Sequence, residues 1–498
     1  MALRKGVFFF PLTLMFLAIV ASLLDSPSFI LWLGKVNDYL LSGFGWLYAA
    51  AVLSGLVLLA VVYFSKWGSV VVGGPTALPM LSKANWFSIA LCTTVAVGIL
   101  FWATAEPLYH FNQPPQGSGV APRTPEAASF SLSTIFLHWT LMPYSLYTLT
   151  ALMFALCHYN FRQSFQVGSV LLPVIGAERT ARIAPVIDAI CLFSLVAGMA
   201  ASMGSGLLTL SGGYARFSGK PADALTFAIL ALLLTLTMAV SAASGLQRGI
   251  RMLSTVNIIG FLLLITWVVI AGPFVQILPF QLPALTEFFT QLVPRSLALG
   301  LDAKWSHNWT LFYWSNWLAW TPVVALFLGK LGRGYTIRAF IRFNLIYPSL
   351  FSMGWMALFG GYAIYFDGLP DKGLYSLVQL SGPESIIFEV LGRLPWATVW
   401  VVFYFILIFL SFVTAGDSTI SAMSSLSTSG ISKDRQEAPA GVTILWSVVV
   451  GLTSWFMVSQ AGLDGIRLTS NLGGFPALWL YLLIIIGMVK LIVNRPPR

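Results

Sequence analysis

The sequence carries very little charge for its length. Only 9% of its 498 residues are Asp, Glu, Lys or Arg, whereas 58% are hydrophobic. A typical soluble domain has roughly 25% charged residues, so this composition excludes an ordinary water-soluble fold. Cysteine and histidine are scarce as well: the three cysteines form no CxxC pair and the four histidines are scattered. Neither a disulfide framework nor a Cys/His metal centre is therefore expected.

What the sequence has instead is a series of long apolar runs. A membrane span needs about 20 mostly apolar residues. The first run follows Arg4 and Lys5 as a signal peptide would, but it lacks a small-x-small cleavage site, so we interpret it as a retained span. Leu285–Leu299 is amphipathic and is predicted to lie along the membrane surface. The twelve spans that we predict are 7–24, 42–64, 86–110, 131–157, 182–211, 223–243, 252–276, 306–330, 341–366, 396–416, 440–460 and 471–494.

The basic residues follow the predicted topology. If the N-terminus is cytoplasmic, 18 of the 27 Lys and Arg residues fall in cytoplasmic segments and 9 fall outside. The positive-inside rule therefore favours an even number of spans. It predicts a protein of the cell (inner) membrane with both termini in the cytoplasm. The net charge of +10 is explained by this bias, and no nucleic-acid partner is predicted.

Three spans are too polar to be plain lipid anchors. Span three has small and hydroxylated residues followed by Glu106-Pro107, and span ten has a hydroxyl-rich stretch around Asp417. Irregular backbone at membrane depth is tolerated only where it lines a cavity, so spans three and ten are candidate sites. The small residues of span five, Gly198–Gly206, are typical of a helix-packing seam as well as of a site. Intramembrane carboxylates such as Asp188 and Asp417 are costly and usually functional.

Aromatic side chains concentrate in spans four and eight. In span four, Trp139, Tyr144 and Tyr147 share one broad helix face. In span eight, Trp314, Trp317 and Trp320 recur at i, i+3 and i+6. A quaternary ammonium has no N–H to donate, and the faces of Trp and Tyr rings are its best partners. The pattern is compatible with such an aromatic cage and also with ordinary packing.

The motif Asn308-Trp-Thr-Leu-Phe-Tyr-Trp-Ser-Asn-Trp317 resembles the signature of the betaine/choline/carnitine transporter family, with Asn308 and Asn316 as departures. Further family-like motifs follow the same order along the chain: Phe101–His110, His138-Trp139, Gly332–Arg338 and Val413–Ser418. The resemblance implies an all-α polytopic membrane protein with a leucine-transporter-type core of two inverted five-helix repeats. The implied division is 1–85 for two extra helices, 86–276 for the first repeat, 277–305 for an amphipathic connection and 306–498 for the second repeat. Trimers and alternating access are also implied.

The resemblance implies a substrate site as well. Trp139, Tyr144, Tyr147 and Trp317 match the central aromatic box of the family, and Trp320 matches an aromatic residue just inward of it. Span three has Thr94 and Ala96 where betaine carriers have glycines, which predicts a narrower cavity. The substrate-binding residues predicted on this basis are Trp139, Tyr144, Tyr147, Trp314, Asn316, Trp317, Trp320, Thr94 and Ala96.

The resemblance also implies an ion site. The carbonyls of Cys92 and Val95 and the hydroxyl of Thr414 match the sodium ligands of sodium-coupled relatives. Ala415 stands where those relatives have a second hydroxyl. Leu195 and Met199 stand where relatives have the two threonines of a second sodium position, so that position is predicted to be absent. Ile258 stands where sodium-independent exchangers have an Arg. No cofactor is predicted other than a sodium ion at the first position.

The function predicted here is therefore ion-coupled import of a small cationic or zwitterionic methylated amine from the outside of a lipid bilayer. Three alternatives remain open at the level of sequence: a sodium-independent or proton-coupled carrier of a related amine or sulfonium compound, a channel-like protein, and an intramembrane hydrolase. The hydrolase is suggested by Gly204-Ser205-Gly206 and Gly416-Asp417-Ser418, but a serine nucleophile would need His138 or His110 as its base.

Overall fold

The fold is almost entirely α-helical. The computed structural model describes residues 2–94, 97–164, 166–243, 247–370, 373–429 and 438–494. The exception to the helices is a two-residue antiparallel pair, in which Ala2–Leu3 lies beside Thr428–Ser429. The helices of the first half are α1 (Lys5–Leu24), α2 (Ser26–Phe64), α3 (Lys83–Thr94), α4 (Val97–Asn112), α5 (Pro125–Trp139), α6 (Leu141–Ala155), α7 (Leu172–Ile175), α8 (Ala177–Ser218), α9 (Ala224–Ala243) and α10 (Gln247–Ala271).

The second half continues in the same way. Its helices are α11 (Phe274–Thr290), α12 (Leu292–Ser296), α13 (Ala303–Ser306), α14 (Phe312–Leu331), α15 (Ile337–Ile341), α16 (Tyr347–Gly368), α17 (Leu374–Ser381), α18 (Ile386–Gly392), α19 (Ala397–Leu426) and α20 (Ala440–Asn494). Short 3₁₀ turns lie at Lys66–Ser69, Val167–Leu171 and Pro383–Ser385, and π-helical turns lie at Leu156–Asn160, His307–Leu311 and Arg342–Ile346.

Many of these helices are long and apolar enough to cross a membrane. In the described part of the chain, eight helices are each long and apolar enough to be a span. Two sharply bent helix pairs add one span each if each pair is counted as a single span, which gives ten. The prediction of an all-α polytopic membrane protein is confirmed. Each of the twelve predicted spans coincides with described helix, including span three, which α3 and α4 form on either side of residues 95–96.

The helices differ from the predicted spans at three places. The segment predicted to lie along the surface, Leu285–Leu299, covers the C-terminal end of α11 and all of α12, and the axis of α11 turns by 108° from that of α10. The last two predicted spans form one helical run, α20, which is interrupted at Gly462, where φ is 51° and ψ is −127°. The fourth predicted span is divided at Thr140, where φ is −123° and ψ is −114°. An L-residue rarely adopts the Gly462 conformation, so glycine permits that bend.

Helix α8 packs against α20, α14 and α19 in the centre of the molecule. A Cβ at Gly206 would overlap the ring of Phe412 on α19, and a Cβ at Gly198 would lie 3.3 Å from the Cβ of Ala319 on α14. These glycines allow the helices to approach closely, because a side chain at either position would separate them. The small residues of span five therefore include a packing seam.

Two carboxylates singled out in the sequence bind structural partners. Asp188 accepts hydrogen bonds from the Arg4 guanidinium at 2.7 Å and from the backbone N–H of Gly168 at 2.9 Å. Asp417 accepts one from the Ser241 hydroxyl at 2.5 Å. Asp188 thus ties the N-terminal segment to α8, and Asp417 joins α19 to α9.

The Gly332–Arg338 motif docks on the segment that follows α2. The Arg338 side chain donates hydrogen bonds to the carbonyls of Tyr63 at 3.0 Å and Ser65 at 3.3 Å, at the C-terminal end of α2. The backbone pairs with the same segment, because Val72 N–H bonds to Tyr335 and Ile337 N–H bonds to Val70. These contacts give Arg338 a structural role, because they satisfy carbonyls that a helix end leaves free.

We expect Arg338→Ala to lower the melting temperature of the purified protein in detergent. The lost hydrogen bonds from a charged donor correspond to roughly 1.5–3 kcal/mol. Arg333→Ala is the matched control, because Arg333 belongs to the same motif but is exposed, with its guanidinium over the Tyr159 ring. Equal melting temperatures for wild type and Arg338→Ala would contradict this account.

Candidate functional site

The break in span four positions three of the predicted aromatic residues. Trp139 is the last residue of α5, and Tyr144 and Tyr147 lie on α6 after the non-helical Thr140. Pro143 falls in the first turn of α6, where its missing N–H has no intrahelical partner to lose. The backbone is therefore locally non-helical between Trp139 and the two tyrosines.

These three rings meet Trp317 of α14. The ring centroid of Trp317 lies 5.4 Å from that of Trp139, 6.3 Å from that of Tyr144 and 5.5 Å from that of Tyr147. The Trp317 indole N–H donates to the backbone carbonyl of His138 at 3.0 Å. All four side chains are buried. We call this set the aromatic cage; the structure brings its members together as the sequence predicted, and their role in binding remains a prediction.

A small cavity of about 30 Å³ lies beside the cage. Its volume leaves room for a few water molecules at most. Trp320 and Asn316 line it as predicted, and the Asn316 side-chain oxygen accepts a hydrogen bond from Ser470 at 2.7 Å. The residues that line the cavity are Gly98, Trp102, Trp139, Tyr147, Ala201, Ser202, Ser205, Phe312, Asn316, Trp317, Trp320 and Ile466.

Trp314 lies outside this cavity. Its indole N–H donates to the backbone carbonyl of Ser296 at 3.1 Å, and its ring packs against His138 with centroids 5.9 Å apart. Tyr144 does not line the cavity either, but its hydroxyl bonds to Ser352 at 2.6 Å. The i, i+3, i+6 spacing in span eight therefore places Trp317 and Trp320 together and turns Trp314 toward a neighbouring helix.

Span three contributes a glycine that the list of predicted site residues omits. A Cβ on Gly98 would lie 2.8 Å from the Trp139 ring, so only glycine allows the ring to occupy its place. Span five contributes Ser202 and Ser205, which were visible only as part of a small-residue run. Of the other predicted residues in span three, Val95 and Ala96 lie outside the described residues. Cys92 and Thr94 belong to α3, and nothing is described of their side chains.

The predicted ion ligands on span ten lie in α19. Thr414 is buried, and its hydroxyl donates to the carbonyl of Leu410 at 2.7 Å, which leaves its oxygen free to accept or to coordinate. Ala415 supplies no side-chain ligand. Ser411, a neighbour on the preceding turn, is engaged with Asn257 of α10 at 2.9 Å. The described part of the predicted sodium position therefore offers one free hydroxyl oxygen.

A buried carboxylate lies directly behind the cage. Glu106 Oε2 accepts hydrogen bonds from the Trp139 indole N–H at 2.8 Å and from the Tyr313 hydroxyl at 2.5 Å. Its Oε1 faces His138 Nδ1 at 2.6 Å and His110 Nε2 at 3.4 Å. Among the described residues, one group of three side chains of the kinds that ligate metals has its ligand atoms close together. The group consists of Glu106, His110 and His138. An ionised carboxylate has about four lone-pair sites, and four polar partners surround the Glu106 carboxylate here; the two imidazoles are donors when each carries its proton on the nitrogen that faces Glu106.

The chain is similar to known transporters along nearly its whole length. The model of the betaine/carnitine/choline family of transporters matches residues 6–496. The chain is 28% identical to the high-affinity choline transport protein of Escherichia coli (strain K12) over 92% of this chain and 68% of that protein. It is 27% identical to the glycine betaine transporter OpuD of Bacillus subtilis (strain 168), over 92% of this chain and 88% of that protein.

A third relative is the ectoine/hydroxyectoine transporter of Virgibacillus pantothenticus, which is 27% identical over 90% of this chain and 88% of that protein. These matches confirm the resemblance carried by the motifs and identify a transporter rather than a hydrolase. The chain belongs to the betaine/carnitine/choline family of transporters.

Proposed function

We propose that this chain imports a quaternary-ammonium compound of the choline, betaine or carnitine type by alternating access. The observation that carries the proposal is the meeting of Trp139, Tyr144 and Tyr147 with Trp317 beside one cavity. The first three come from the first predicted repeat and Trp317 comes from the second. Transporters built from inverted repeats bind their substrates at the repeat interface, near the middle of the membrane.

The chemistry of the cage suits a trimethylammonium group. Such a group has no N–H, so carbonyl oxygens cannot hold it by hydrogen bonds, whereas the electron-rich faces of Trp and Tyr attract it. No Asp, Glu, Lys or Arg occurs among the described residues that line the cavity. Choline and glycine betaine, named for two of the relatives, share this head group.

The cage is closed in this conformation. Trp139 and Trp317 contact each other edge to face, and the adjacent cavity of about 30 Å³ is too small for a trimethylammonium group. Substrate must therefore separate these rings as it binds. A site that opens for its ligand couples binding to a conformational change, which alternating access requires.

The wider architecture belongs to the same proposal. We assign residues 86–276 and 306–498 to two inverted five-helix repeats, 1–85 to two preceding helices and 277–305 to the connection. Both termini lie on the cytoplasmic side of a cell membrane, as the distribution of basic residues favours. The protein works as a homotrimer, which rests on family resemblance.

A cation moves with the substrate in this proposal. Sodium at Cys92, Val95 and Thr414 is the first choice, and a proton is the second. Sodium prefers about five or six oxygen ligands, and Ala415 removes one that relatives use. A site with fewer oxygen ligands binds a hard cation more weakly.

We expect Trp317→Ala to lower choline and glycine betaine binding more than tenfold, and Trp317→Phe to retain part of the affinity. The physical reason is that each cation–π contact contributes about 0.5–2 kcal/mol, and a Phe ring still attracts a cation. Isothermal titration calorimetry on purified protein measures both affinities.

Trp314→Phe is the matched control for these variants. Trp314 is equally buried on the same helix but lies outside the cavity, so its substitution is expected to change affinity little. A folded Trp317→Ala protein with wild-type affinity for both compounds would rule out the cage.

We expect sodium to stimulate uptake with a high half-saturating concentration. Ala415→Ser is expected to lower that concentration because it restores a hydroxyl ligand, and Thr414→Ala is expected to abolish the stimulation. Radiolabelled choline uptake into proteoliposomes, at several sodium concentrations and fixed membrane potential, measures this. Uptake that ignores sodium but follows an imposed pH gradient would show that the coupling ion is a proton.

A further inference from the structure

We propose that Glu106 is the counter-charge of the aromatic cage and that it makes the site prefer a net cation over a zwitterion with the same head group. It is a positioning residue, because it acts on the ligand through Trp139 rather than by contact. The inference rests on the proposed function, since it takes the cage as the place where the trimethylammonium group binds.

The first step is that no permanently charged cation neutralises Glu106. The basic side chains within 4 Å of its carboxylate among the described residues are the imidazoles of His110 and His138, which carry a charge only when protonated, with no Lys or Arg. The two nearby guanidinium groups have other carboxylates. Arg295 lies 3.1 Å from Glu287, and Arg467 lies 3.6 Å from Asp464.

The second step is the path from the carboxylate to the ligand. The Trp139 indole N–H that donates to Glu106 belongs to the same ring that contacts Trp317 and lines the cavity. A negative charge at the N–H edge polarises the indole and makes its face more attractive to a cation. Because the surroundings are buried and apolar, the charge is also screened less than it would be in water.

The third step concerns the other end of the ligand. In the described lining of the cavity, the polar side chains other than the aromatic ones are Ser202, Ser205 and Asn316, with no Lys or Arg to pair with a carboxylate. Hydroxyl and amide groups can bond to the hydroxyl of a choline-type cation. A zwitterion brings its own carboxylate into the field of Glu106, and the repulsion between the two offsets part of the attraction to its ammonium.

The test compares choline and glycine betaine, which share the trimethylammonium group and differ in net charge. We expect Glu106→Gln to weaken choline binding about tenfold or more and glycine betaine binding about threefold or less, so that the ratio of the two affinities falls. Glu106→Asp keeps the charge and is expected to retain the preference for choline. Both affinities are measured by isothermal titration calorimetry, with thermal melting to confirm that each variant is folded.

Asp367→Asn is the matched control. Asp367 is another fully buried carboxylate, but its partners are Arg123 and Asn112 rather than residues of the cage. Its removal is expected to leave the affinity ratio unchanged. If Glu106→Gln does not fold, Trp139→Phe tests the same point, because it keeps a ring but removes the N–H that reaches Glu106, and the ratio is again expected to fall.

Equal losses for choline and glycine betaine in Glu106→Gln would overturn the proposal and leave Glu106 a purely structural acceptor. An unchanged ratio in Trp139→Phe would also overturn it. Failure of the cage itself gives a different result, because both compounds would then bind normally to Trp317→Ala. The two proposals can therefore fail separately.

Discussion

The burial of one carboxylate constrains the centre of this transporter. Glu106 of α4 draws donors from α5 and α14, namely the rings of His138, Trp139 and Tyr313. An ionised carboxylate away from water is very unfavourable unless every lone pair is occupied, so these three helices cannot separate locally without exposing an unsatisfied charge. The position of Trp139, and through it the shape of the cage, depends on this arrangement.

Residues on both sides of a local break in a helix build the site. Trp139 precedes the non-helical Thr140 and Tyr147 follows it, and both rings contact Trp317 of α14. At the other wall, Gly98 leaves space for the Trp139 ring. The resulting cage is tightly packed, and under the function proposed above it would have to open before a trimethylammonium group could enter.

Carboxylates in membrane helices illustrate how far a sequence can be interpreted. Asp188, Asp417 and Glu106 are equally conspicuous in the sequence. In the structure, Asp188 is neutralised by Arg4 and Asp417 is bonded to Ser241 across a helix contact. Glu106 differs because one of its partners, the indole of Trp139, is a ring of the cage. All three are buried, and it is the identity of the neighbours that distinguishes them.

The sequence by itself determined the class of protein, the positions of the helices and the family, because apolar length, charge bias and motif order are local properties of the chain. It also predicted Trp139, Tyr144, Tyr147 and Trp317 as a set, through the family motifs. Only the tertiary structure decided that Trp314 turns away to Ser296, that Gly98 and Ser202 join the site, and that Glu106 stands behind the cage. These facts depend on contacts between residues far apart in the chain and on breaks in helices, which neither spacing nor composition specifies.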